Sequence, residues 1–178
     1  DAAAAQKAQA HLEDCMKNHN SAGGVIECRI NGIPAGIGDP VFEKLDANLA
    51  KAILSVGAVK GFEIGDGFLA AQTDGNTNND SFYMTKQASV GKQTNHSGGT
   101  LGGISDGDTI LLRAAVKPTP SISSPQKTVN KAGENIDISI CGRHDPVIVP
   151  RAVVVVEAMA ALTVCDAMLL NMTARIDS

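Results

Sequence analysis

From Val149 to about Ala174 runs the most apolar segment of the chain, and it constrains the fold more than any other stretch. Read as a helix, it is about 36–39 Å long at 1.5 Å per residue. Its apolar residues lie nearly all round the helix, and such a helix is buried on more than one side. The expectation is a helix lying between two layers, most naturally sheets. Glu157, Thr163 and Asp166 interrupt the run from Ala152 to Leu170. Acids of that kind are expensive in lipid, so a core helix is expected and a membrane span is not.

A chain of 178 residues suits one domain with a substantial core. The formal charge of −4 argues against general nucleic-acid binding, and four Phe, one Tyr and no Trp argue against a stacking platform for bases. Cys15, Cys28, Cys141 and Cys165 show no CxxC spacing, which leaves zinc and thioredoxin-like chemistry unsupported. Buried, reduced thiols in a cytosolic protein are the expectation. No signal peptide is read. The chain opens on Asp1 within an Ala-rich stretch, as a cut through a longer protein would.

Residues 2 to about 19 read as a helical lead-in. Val25–Ile30 reads as a strand, and Ile33–Pro40 as a loop in which Asp39 caps a helix with Pro40 at its first position. That helix is expected from about Val41 to Leu54, with Phe42, Leu45, Leu49 and Ile53 on its apolar stripe. Ala58–Ile64 reads as a strand with Val59, Gly61 and Glu63 on one face and Lys60, Phe62 and Ile64 on the other. The unit from 24 to 64 then fits a βαβ crossover. A short helix is expected over Phe68–Gln72. Residues 73–97 are too polar to bury much surface, and a mobile flap is expected there. Strands follow at Thr109–Val116 and around Ile136–Ile140, with a turn at Val129–Gly133 between them.

Three polar islands border these elements. Glycines in Gly98–Ser105 let backbone N–H groups approach an anion or a flat ring, or simply form a flexible turn. No Gly-Lys-Ser/Thr follows, so this is not a phosphate-binding P-loop. Lys117-Pro118-Thr119-Pro120-Ser121 offers a point charge and two hydroxyls to a phosphate, or is a proline-punctuated strand exit. Gly142-Arg143-His144-Asp145-Pro146 sets a permanent cation, an imidazole and a carboxylate side by side. Arg143 can clamp a phosphate or carboxylate and Asp145 can move a proton; alternatively the two pair with each other or with neighbours on the surface. No His/Cys/carboxylate grouping has metal-ligand spacing.

Together these motifs resemble the chorismate synthase family. The resemblance is carried by Gly32–Ala47, Ala58–Gly67, Thr94–Gly99, Gly102–Ser105, Lys117-Pro118-Thr119 and Gly142–Pro146, in that order. It implies a carbon–oxygen lyase of the shikimate pathway. Such enzymes convert 5-enolpyruvylshikimate 3-phosphate to chorismate by anti-1,4 loss of phosphate and a proton. The cofactor implied is reduced FMN, with NADPH only where the enzyme reduces its own flavin. The fold implied is α+β, a β-α-β sandwich of long helices packed against antiparallel sheets, in a cytoplasmic homotetramer.

Carried over by position, flavin contacts fall at Gly57, Ala58, Gly102, Lys117, Pro118, Thr119, Pro120, Ser121 and Arg143, and Asp145 matches a carboxylate that assists proton transfer. Arg143 also reaches toward the substrate anion. Gly57 stands where the family often has Pro, and Val147 where many members have Cys; the stretch Thr73–Thr94 looks expanded. The family's Gly-Glu-Ser-His-Gly motif and a second histidine are absent from the sequence. The chain therefore resembles the C-terminal part of the enzyme, a single domain over 1–178. Alone, it is expected to be a structural or oligomerising module without turnover.

Overall fold

A computed structural model describes residues 1–142 and 144–174. Helix α1 (Ala2–Lys17) is capped by Asp1, whose Oδ1 accepts the N–H groups of Ala3 and Ala4 at 2.9 and 3.2 Å. It lies almost wholly exposed, with Cys15 as its buried residue.

The core is a three-stranded sheet in the order β1 (Gly24–Ile30), β7 (Ile110–Val116), β2 (Val59–Ile64). Both outer strands run antiparallel to β7. The expected crossover therefore joins two parallel strands that are not neighbours, and β7 arrives later in the chain to pair between them. Ile110, Leu112, Ala114 and Val116 of β7 point into the core. On the opposite face Glu27, Arg113 and Glu63 share one row, with Arg113 Nη1 3.3 Å from Glu63 Oε2.

The facing of β2 differs from the expected alternation. A bulge between Val59 and Gly61 inserts one residue against β7. Such a bulge reverses the parity of the residues beyond it. Val59, Phe62 and Ile64 consequently all pack toward the core.

Helix α2 spans Leu45–Leu54, four residues shorter at its start than expected. Asp39 does accept the Val41 N–H at 3.0 Å, but Phe42 takes a left-handed conformation (φ 64°) that no helix continues through. The first turn instead begins where the Leu45 N–H donates to the carbonyl of Gly103 at 2.8 Å. Leu45, Leu49 and Ile53 are fully buried, whereas Phe42 is 91 % exposed and stands outside the core stripe.

Helix α4 (Val149–Met172) confirms the long apolar helix, with Pro150 in its first turn. By length and mean hydropathy (2.1) it is sufficient to cross a membrane, yet Val156, Ala160 and Val164 pack into the core cluster. Burial on more than one side is not found. Val154, Leu162 and Leu170 are each more than 60 % exposed. Among the described residues one sheet is large enough to cover one face of α4; the remaining sheets are two-stranded ribbons.

After β2 come a 3₁₀ helix (Gly67–Gln72), a single turn α3 (Gly75–Asn78) and a hairpin of β3 (Phe82–Met84) and β4 (Val90–Lys92). This polar segment has a buried root. Asp80 accepts the N–H groups of His96 and Ser97 and the hydroxyls of Thr94 and Ser97 at 2.7–2.9 Å. Strands β5 (Thr100–Leu101) and β6 (Ile104–Ser105) form a tight hairpin. A further ribbon joins β9 (Asn135–Ile138), at the expected place, to β8 (Gln126–Val129), whose polar residues give no strand signal.

Candidate active site

Where β7 ends, four separate stretches of chain converge. The Lys117 N–H donates to the carbonyl of Ala58 at 2.9 Å, joining the β7 exit to the turn before β2. Ala58 holds that turn with φ 69°, a conformation costly for a residue with a Cβ. Ser21 Oγ donates to the carbonyl of Thr119 at 2.7 Å, and the Ala22 N–H donates to the carbonyl of Pro146 at 2.7 Å. Gly23 lies between these contacts, and a Cβ there would stand 2.5 Å from the Val116 carbonyl oxygen. Glycine at 23 is thus what lets the strand exit and the 145–147 turn share one backbone clip.

Most of the expected site residues meet here: Gly57 and Ala58, the run Lys117, Pro118, Thr119, Pro120 and Ser121, and Asp145. Arg143 lies outside the described residues. Gly102 does not join them. It forms the open tip of the β5–β6 hairpin, whose flanking Gly99 packs on the first residues of β7. The length of β7, about 20 Å at 3.3 Å per residue, lies between the two groups.

Within the cluster, Thr119 Oγ1 is buried and has no hydrogen-bond partner. A desolvated hydroxyl left in that state is destabilising, so the position calls for an acceptor or donor from outside. Lys117, half-buried beside it in sequence, enters no ion pair among the described residues. The Pro120 carbonyl accepts from Gln126 Nε2 at 2.8 Å, which fixes the far end of the run.

Asp145 is held by Arg151, one turn into α4. Arg151 Nη1 lies 2.7 Å from Oδ2 and Nη2 donates to Oδ1 at 3.4 Å. The carboxylate has a cationic partner that the spacing of the motif alone does not reveal, because residues six apart meet only once the 146–148 turn is folded. His144 sets Nε2 2.9 Å from the carbonyl of Ile140. A small cavity of about 210 Å³ opens beside this turn, lined among others by His19, Ser123 and His144.

Two features were not anticipated from sequence. His96 Nδ1 lies 2.6 Å from Asp66 Oδ2, a pair assembled from residues thirty apart and about a quarter exposed. A cleft of about 790 Å³ runs between α2 and α4 and is lined by Lys51, Met159, Leu162 and Asp166 among others. None of the expected site residues lines it. The converging cluster carries the better claim to chemistry, because among the described residues it unites a cation outside any ion pair, an unsatisfied hydroxyl and a carboxylate.

A family model described as chorismate synthase matches residues 1–169. The chain is 68 % identical over 177 residues to a chorismate synthase of Agathobacter rectalis, covering 99 % of the chain and 48 % of that relative. It is 51 % identical over 169 residues to the chorismate synthase of Thermosynechococcus vestitus, covering 95 % and 47 %. A solved structure, "Crystal Structure of Chorismate Synthase", superposes with a TM-score of 0.77 at 30 % identity, over 94 % of this chain and 43 % of that one. The chain spans about half the length of the curated relatives it matches. The α+β fold, the ordered motifs and these matches together establish that the chain belongs to the chorismate synthase family.

Proposed function

We propose that this chain forms one wall of a chorismate synthase active site, in a protein that eliminates phosphate from 5-enolpyruvylshikimate 3-phosphate to give chorismate. The observation that carries the reading is the convergence of Ala58, Lys117–Ser121 and Asp145 at the end of β7, with Thr119 Oγ1 buried and unpartnered. Those residues fit FMN. Lys117 and the hydroxyls of Thr119 and Ser121 hold its phosphate, and backbone at Gly57 and Ala58 meets the ring. Reduced FMN, when bound, supplies transient electron donation and accepts a proton beside the substrate. Arg143 keeps its assignment to the flavin or the substrate anion. Arg151 pairs with the Asp145 carboxylate and fixes its direction, so that it can orient a proton-carrying group.

Gly102 belongs to a second wall. Its distance from the cluster along β7 supports a site completed by other polypeptide, in keeping with the homotetramer of the family and a cytoplasmic setting. NADPH enters only if the whole protein reduces its own flavin.

The split site and the half-length match favour a second reading for the chain in isolation: a folded module that does not turn over. Electrostatic preorganisation needs the whole set of donors. The test assays chorismate formation with reduced FMN for this 178-residue chain and for a version extended to the length of its relatives. Turnover by the extended version, loss in its Asp145→Asn form and weaker FMN binding in its Thr119→Val form are expected. Wild-type rates in Asp145→Asn would overturn the site; turnover by the short chain would overturn the module reading.

A further inference from the structure

The short segment between α1 and β1 is tied to the candidate site at several points. Ser124 Oγ lies 3.2 Å from the carbonyls of both Asn18 and His19. Asn20 Oδ1 accepts the Ser21 N–H at 2.9 Å, and the Ala22 N–H donates to the carbonyl of Pro146 at 2.7 Å. Ser21 is therefore held by its neighbours on both sides, and it is buried. Its hydroxyl is left to donate to the carbonyl of Thr119, 98 residues on in the chain.

That bond falls on the part of the Lys117–Ser121 run that the prolines leave adjustable. Thr119 stands between Pro118 and Pro120, each with a ring that fixes its own φ. A residue before proline is confined to the extended region, but that region is broad. Within it the direction of the Thr119 carbonyl can still swing, and the Thr119 side chain swings with it. Ser21 pins the carbonyl at 2.7 Å. Nothing else among the described residues bonds Thr119 Oγ1, which is buried and unpartnered.

We infer that Ser21 is a positioning residue for the cofactor phosphate, aiming the Thr119 hydroxyl before the ligand arrives. The inference rests on the flavin reading of Lys117–Ser121 given above. Ser21 acts only through Thr119, because its one hydroxyl hydrogen goes to the Thr119 carbonyl. A donor aimed in advance loses less freedom on binding, so the effect belongs to cofactor affinity. Asp145 keeps a tie of its own, since the next residue, Ala22, holds Pro146 through its backbone. Adjacent residues of one segment thus hold the phosphate arm and the carboxylate arm of the site separately.

The test uses the protein extended to the length of its relatives, with circular dichroism to establish folding. FMN affinity is read from quenching of flavin fluorescence, and kcat from chorismate formation at saturating reduced FMN. Ser21→Ala is expected to weaken FMN binding about fivefold, as loss of one ordinary hydrogen bond does. Its kcat is expected to stay within about twofold of wild type, the pattern of lost binding without lost chemistry. In a Thr119→Val background the same change is expected to leave affinity nearly unaltered, because no hydroxyl remains to be aimed. Ser21→Cys, a weaker donor, replaces Ser21→Ala if that variant does not fold. Equal affinity in wild type and Ser21→Ala would overturn the inference and leave the site standing. So would equal weakening in the two backgrounds, or a kcat that falls in step with affinity, since either marks a general loosening. Unaltered affinity in Thr119→Val alone would instead overturn the flavin reading beneath it.

Discussion

Lys92 Nζ lies 2.6 Å from Asp106 Oδ2, with both side chains almost inaccessible to solvent. The same ammonium stands 3.8 Å from Asp80 and donates to Asn95 Oδ1 at 2.9 Å. It ties the 73–97 segment to the loop that precedes β7. Removing one partner of a buried pair strands the other charge. Lys92→Ala is therefore expected to lower stability by about 3–5 kcal/mol. Urea denaturation followed by circular dichroism measures this; a midpoint equal to wild type would show that the tie contributes nothing.

Asp80 sets a pH dependence. Burial pushes its carboxyl up, but the N–H and hydroxyl of Ser97, the hydroxyl of Thr94 and the N–H of His96 outweigh burial and hold it far below the usual carboxylate range. A folded-state value below the unfolded one, about 3.9, means that stability is present above that value and is lost as pH falls beneath it. Stability measured between pH 5 and pH 2 is expected to fall less steeply in Asp80→Asn than in wild type. Parallel curves would remove Asp80 as the cause.

Segment 73–97 is expected to move about this root. The amides of His96 and Ser97, which donate to Asp80, should exchange slowly with deuterium, while the exposed turn at 85–89 should exchange fast. Uniform fast exchange across the segment would contradict an anchored flap.

Ala58 is a strained hinge of the candidate site. Its left-handed backbone tolerates glycine but resists a β-branched side chain. Ala58→Val is expected to destabilise by about 1–3 kcal/mol, and Ala58→Gly to stay near wild type or rise. Thermal melts of the two variants check the order; the reverse order would mean that the turn has no need of this conformation.

Leu49 tests the core itself. It is fully buried between α2 and the sheet. Leu49→Ala is expected to cost about 2–5 kcal/mol, whereas Phe42→Ala, on a side chain 91 % exposed, should change stability little. Equal losses from the two would place Phe42 back on the stripe.

Much of this was legible from local pattern. The stripe of α2 from Leu45 to Ile53, the strand at β7 and the length of α4 are properties of consecutive residues, and the structure keeps them. What was not legible depended on distant partners. The carbonyl of Gly103 decides where α2 begins, a bulge against β7 decides which way Phe62 faces, and Arg151 reaches Asp145 only through a folded turn. β8 was missed because Gln126, Lys127 and Thr128 make a strand by pairing with β9 and not by apolar alternation. The candidate site residues were named through motif resemblance; the meeting point of most of them, around Gly23, is a matter of packing that no spacing records.

The outward face of α4 has a practical consequence. Val154, Leu162, Leu169, Leu170 and Met172 form a greasy exterior on a helix whose other side is locked into the core. A purified sample will behave as an amphiphile. It should bind the dye ANS while fully folded, adsorb to surfaces, and gain solubility from mild detergent without losing secondary structure.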